Sequence, residues 1–203
     1  MRLIIITHEQ VFPGEADIIN LLFGKGMETL HLRKPSCNED ELSSLLRKTD
    51  PQYHHRIVLH DHFSLLESFS LKGIHLNKRN PFLPDITVHS VSKSCHSLKE
   101  IQQADYFDYL FLSPVFDSIS KSGYRRGFTR EQLEEASKQK IIRKDIIALG
   151  GISSTTIPLA RHYGFGGVAV LGALWENFIQ DRNVDALVKR FENLKKTIRH
   201  GHE

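Results

Sequence analysis

The residues of this 203-residue chain whose types and spacing suit chemistry are glycines, histidines and a few hydroxyls. Two short β-branched runs, Asp145–Leu149 and Val168–Leu171, stop at glycine, Gly150-Gly151 after the first and Gly172 after the second. Glycine at a strand end lets a backbone N–H approach a phosphate with no Cβ in the way, and the N-terminus of a following helix favours negative charge. One such loop would be a tight turn; the matched pair reads as a phosphate seat. Polar residues close the other apolar runs: His31, Arg33, His60, Asp61, His75, Ser94, His96, Ser118, Ser120 and Lys121. A basic, hydroxyl-lined set of this kind suits an anionic small molecule with at least one phosphate. Lys121, in a loop of otherwise small residues, reads as a phosphate contact, whereas Arg125 and Arg126 read as solvent-facing.

These side chains need elements that gather them on one face. Strand patterns are expected at Arg2–Thr7, Glu28–Arg33, Arg56–Leu59, Gly73–Leu76, Ile86–Lys93 and Asp108–Leu112, before the two glycine-ended runs. Helical spacing is expected at Ala16–Phe23, from the Asn38/Glu41 capping box to Arg47, at Phe63–Ser70, from Ser97, at Glu131–Lys138, in the Ser153–Tyr163 spacer and at Val184–Ile198. Strand and helix alternate throughout with no linker or repeat. The pattern predicts one (β/α)8 barrel over residues 1–203 rather than an open doubly wound sheet. Its fourth crossover, Asn77–Asp85, is abbreviated, and its tail, 199–203, is frayed. Ser113–Phe128 is long for a structureless loop, which points to a lid or binding loop.

Composition narrows the partners. With 27 basic and 24 acidic residues, a net charge of +3 argues against a nucleic-acid surface. Cys37 and Cys95 lie far apart, no secretory leader precedes the first strand, and no apolar run approaches membrane length. A cytoplasmic protein acting on a small molecule, and possible as a homo-oligomer, is expected.

Several segments resemble the thiamine phosphate synthase/TenI family, in order and at the right spacing, over Thr29 to Leu174. They are His-Leu-Arg-Lys, His-Asp, Gly-Ile-His-Leu, Ser-Lys-Ser-Cys-His-Ser, Ser-Pro-Val-Phe-Asp-Ser-Ile-Ser-Lys, Leu-Gly-Gly-Ile and Gly-Val-Ala-Val-Leu-Gly-Ala. The resemblance implies a (β/α)8 barrel holding a thiazole phosphate at Gly150, Gly151, Leu171 and Gly172. It implies one of two activities. Synthases join hydroxymethylpyrimidine diphosphate to the thiazole phosphate with Mg²⁺; TenI-like tautomerases aromatise a carboxythiazole phosphate without a cofactor. It also implies catalytic roles for His96, Ser94 and Lys121, with His31, Arg33, His60, Ser118 and Ser120 binding substrate, and Asp61 as a metal ligand if Mg²⁺ is bound.

The diphosphate end departs from the synthase pattern. A Gln-x-Arg-x-Lys series reads His31, Arg33, Pro35, with Lys34 as a candidate substitute; Asn-Asp reads His60-Asp61; and the second Mg²⁺ carboxylate falls on Asn80. These losses remove most of what would stabilise a departing diphosphate. Proton transfer needs only an anchored phosphate, a base and a dry pocket. The resemblance is therefore read toward the tautomerase, with the synthase as the alternative. A metallohydrolase built on His31, His60, Asp61 and His96, or a non-catalytic thiazole phosphate binder, are further readings. His75, His89, His200 and His202 are taken as satisfied or surface residues, and Asp61 could also cap the helix after it.

Overall fold

The structure is a computed structural model and describes residues 1–116 and 127–199. Its strands are β1 (Arg2–Ile6), β2 (Thr29–Leu32), β3 (Ile57–Leu59), β4 (Gly73–Leu76), β5 (Val91–Cys95), β6 (Tyr109–Leu112), β7 (Ile146–Leu149) and β8 (Gly167–Val170). All pair in parallel in chain order, and β8 returns to β1 through the register Leu3↔Val168 and Ile5↔Val170, closing the barrel. Period-two alternation sorts the side chains. On β1, Leu3 and Ile5 point outward into the main core beneath the helices, while Ile4 and Ile6 point inward toward Phe111, Ile147 and Ala169. A strand apolar on both faces is what a barrel buried inside and outside requires.

The helices are α1 (Glu15–Gly24), α2 (Glu39–Lys48), α3 (Leu98–Gln103), α4 (Arg130–Lys138), α5 (Ile157–His162), α6 (Gly172–Trp175), α7 (Phe178–Asp181) and α8 (Val184–Arg199). The Asn38 side chain accepts from Glu41 N while Glu41 reaches back to Asn38 N, each at 2.9 Å, so α2 begins on the expected capping box. Ser97 caps α3, and Thr129 with Gln132 forms a second box ahead of α4.

Three expectations need correction. The element after β3 is a 3-10 turn, Phe63–Glu67, rather than a helix to Ser70; it starts from His62 in the left-handed region, φ 53°, with no side-chain cap, so a longer helix lacks a nucleus. The fifth strand starts at Val91, not Ile86, because β4 supplies partners only from Ile74↔Val91 to Leu76↔Lys93. The spacer between β7 and β8 is helical only over Ile157–His162, since Ser153 and Thr156 spend their hydroxyls on turn contacts with Thr155 and with Gly151 O. Asn77–Asp85 carries no helix, as expected of the shortened fourth crossover.

Candidate active site

Inward positions on β2 to β6 carry polar groups where a barrel usually carries aliphatic ones. His31, His60 and His75 project from β2, the end of β3 and β4; Ser92 and Ser94 come from β5 and Tyr109 from β6. His31 Nδ1 meets His60 Nε2 at 2.8 Å, and His31 Nε2 meets the Tyr109 hydroxyl at 2.8 Å. His60 stacks on His75 with ring centroids 4.3 Å apart. The Ser92 hydroxyl lies 2.8 Å from His75 Nδ1 and 3.2 Å from Ile74 O. His75 Nε2 lies 2.8 Å from the Ser94 hydroxyl, so the ring is held between two serines. Ser94 itself is half-buried.

Burial is the first cause that holds the His31 and His60 rings well below the usual histidine range, followed by the charge His75 would carry; burial alone takes His75 to about 3. The three rings are therefore neutral in ordinary buffer. Tyr109 is pushed up to about 12, mainly by burial, and stays a phenol. This corrects the placement of His31 and His60 as substrate contacts at the mouth. His31 is fully buried and His60 nearly so, their rings turned into the barrel. His75, read as merely satisfied, is satisfied but by Ser94, which ties it to the site. The metallohydrolase constellation is also revised: His31 and His60 converge with His75, while Asp61 and His96 lie outside that cluster.

At the rim, His96 is exposed. Its Nδ1 lies 2.9 Å from Ser113 O, and its backbone N–H donates to Glu100. A carbonyl only accepts, so Nδ1 donates there, and Nε2 makes no hydrogen bond among the described residues. Arg33 reaches the surface and pairs with Glu9 at 2.6 Å, while its backbone exchanges 3.0 Å hydrogen bonds with Thr7 Oγ1. Lys34 is no substitute for the missing lysine. Its ammonium turns away from the barrel and is fully buried, held by His8 O, Gln10 O and Glu15. Burial lowers the Lys34 pKa against the raising effect of Glu15, and burial raises that of Glu15 against Lys34.

Asp61 lies beside this mouth with its oxygens in use. Arg79 donates to Oδ1 from Nη2 at 2.9 Å and from Nε at 3.2 Å, and to Oδ2 from Nη2 at 3.1 Å. Asn80 Nδ2 adds a 2.9 Å bond to Oδ1 and a 3.0 Å bond to His60 O. Mg²⁺ seeks oxygen ligands in near-octahedral array, usually one or two carboxylates with phosphate oxygens. Here one carboxylate is covered by a guanidinium, and the residue beside it offers it an amide N–H. These residues do not fit a Mg²⁺ site.

Across the same rim, Gly150 has φ +94° and Gly151 φ +62°. A Cβ on Gly150 would lie 2.8 Å from Pro114 Cα, so only glycine passes there. Leu171 leads into α6, and β7 pairs with β8, which puts the two glycine loops side by side. Among the described residues, the N–H groups of Gly151, Gly172 and Ala173 donate to no backbone carbonyl, and all three residues are partly exposed. Backbone donors left open in adjacent loops can receive a phosphate. Ser118, Ser120 and Lys121 lie outside the described residues.

Sequence reasoning missed Arg79, Ser92 and Tyr109. The inward phase of β5 and β6 would have found the last two, since Ser92 and Tyr109 alternate with outward neighbours. Nothing local marks Arg79, which reaches Asp61 across a turn.

Closed barrel, polar interior and a mouth with open backbone donors on one rim define a (β/α)8 enzyme. Residues 3–174 match the family model described as thiamine monophosphate synthase, and the chain belongs to that family. A thiamine phosphate pyrophosphorylase from Bacteroides thetaiotaomicron superposes over 100% of both chains with TM-score 0.91 and 41% identity. One from Pyrococcus furiosus, at 20% identity and TM-score 0.74, covers 100% of this chain and 97% of its own and shares the fold. A thiamine-phosphate synthase from Limosilactobacillus reuteri is 24% identical over 164 residues, 77% of this chain and 74% of its own. Among the described residues, no helix is long and apolar enough to cross a membrane.

Proposed function

We propose that this enzyme is a thiamine phosphate synthase, joining hydroxymethylpyrimidine diphosphate to a thiazole phosphate. The observation that carries the reading is full-length likeness, at 41% identity, to a protein described as a thiamine phosphate pyrophosphorylase. It reverses the preference for the tautomerase drawn from the drifted diphosphate end. In this reading the thiazole phosphate sits on the open N–H groups of Gly151 and Gly172, with Leu171 and Gly150 shaping the loops. Ser118, Ser120 and Lys121 are its side-chain contacts in this reading. The thiazole ring nitrogen forms the new bond to the pyrimidine methylene carbon as the carbon–oxygen bond to diphosphate breaks, and diphosphate leaves with the electron pair. Ser94, oriented by its bond to His75 Nε2, turns its hydroxyl toward the reacting carbon. This step leaves no proton for His96 to take; its Nε2 serves proton transfer in the isomerase reading below.

The tautomerase remains the second reading for one reason. Asp61 is covered by Arg79 and Asn80, whereas His96 already has the tautomer that proton transfer needs. Incubation with pyrimidine diphosphate and thiazole phosphate, with and without Mg²⁺, and separately with the non-aromatic carboxythiazole phosphate, decides between them. Thiamine phosphate is the expected product. Conversion of the carboxythiazole alone would replace the synthase reading with the isomerase.

A further inference from the structure

The covered carboxylate at the mouth has a chemical consequence for the synthase reading, on which this inference rests. A departing diphosphate needs positive charge or N–H donors where its own charge develops. With Asp61 engaged, the group at this place with spare donors is Arg79. One edge of its guanidinium, Nε and Nη2, is fixed on Asp61. Among the described residues its Nη1 makes no hydrogen bond, and the side chain is 41% exposed against 11% for Asp61. Asn80 donates to Asp61 and to His60 O, and Asn77 donates to His60 O, which fixes the turn that carries Arg79.

We propose that Arg79, held in place by Asp61, is the built-in cation that receives the diphosphate, so that this enzyme binds and releases it without a divalent metal. A guanidinium matches phosphate oxygens with a planar pair of donors, and clamping one edge on a carboxylate orients the other edge before the anion arrives. Asp61 is thus a positioning residue and Arg79 a catalytic one.

The test uses the whole protein stripped of metal with a chelator and inorganic pyrophosphate as probe, followed by calorimetry. The wild type is expected to bind pyrophosphate in chelator, and Arg79→Ala to lose at least about tenfold in affinity, as expected when a charge-assisted anion contact is removed. Its affinity for thiazole phosphate should not change, and thermal melting reports that it folds. Arg79→Lys should recover part of the loss, since the charge returns without the fork. The double variant Arg79→Ala/Asn80→Asp places a second carboxylate beside a freed Asp61, and its pyrophosphate binding should become Mg²⁺-dependent. Pyrophosphate binding that requires Mg²⁺ in the wild type and is unchanged in Arg79→Ala would overturn the proposal. Arg79-dependent binding without any thiamine phosphate formation would retain the anion site and sink the synthase reading instead.

Discussion

At the scale of single residues, the most consequential groups are imidazoles buried inside the barrel. His31, His60 and His75 share one pocket, and each ring nitrogen bound there is engaged by another ring, Tyr109 or a serine. In the unfolded chain they would titrate near 6.5; in the barrel burial holds all three lower, His75 at about 3. Below 6.5 the unfolded chain therefore binds more protons than the folded one, and stability must fall as pH drops toward the folded values. Each histidine contributes at most about 1.4 kcal/mol per pH unit to that slope. Urea unfolding between about pH 7 and pH 5 should show the loss, and His75→Gln should flatten it by one histidine's share. An unchanged slope would mean that His75 is protonated inside the barrel. His31 and His60 were recognisable in the sequence as strand-end residues. Whether a strand-end ring faces the mouth or the floor depends on where neighbouring strands start, which a single strand does not encode.

At the scale of elements, the two glycine loops differ from ordinary turns in what surrounds them. Gly150 and Gly164 have nearly the same φ, +94° and +91°. An added Cβ meets Pro114 Cα at 2.8 Å in the first case and nothing nearer than 3.9 Å in the second. Gly164→Ala should lose only the backbone strain of a non-glycine residue in that region, about 1–3 kcal/mol, without altering inorganic phosphate binding. Gly150→Ala carries the same strain and also displaces the loop after β7, so it should lower both melting temperature and phosphate affinity. Equal phosphate affinity in the two variants would separate the glycine loop from the phosphate. The β–glycine–helix–β–glycine pattern was legible because it is local. The 3-10 turn after β3 and the late start of β5 were not, because a missing cap and a missing partner strand set them.

At the scale of the whole molecule, closure of β8 onto β1 brings the last glycine loop to the same rim as the first strands, and α1 and the loop after β2 seal the outside. That seal contains the buried Lys34–Glu15 pair, with Glu15 Oε2 lacking a hydrogen bond among the described residues and Phe12 beneath the ammonium. Removing one partner strands the other in a medium that cannot solvate it. Lys34→Met should cost about 3–5 kcal/mol by denaturant unfolding, and Lys34→Met/Glu15→Gln distinctly less. Equal losses would mean that water reaches Glu15. The barrel itself, the order of its strands and its glycine loops were determined by the sequence alone, because alternating apolar runs, caps and glycines act over a few neighbouring residues. The histidine cluster under Ser94, the turning of Lys34 away from the mouth and the capture of Asp61 by Arg79 were decided only by the tertiary structure. They depend on contacts between residues far apart in sequence, and on a register that exists only once the barrel has closed.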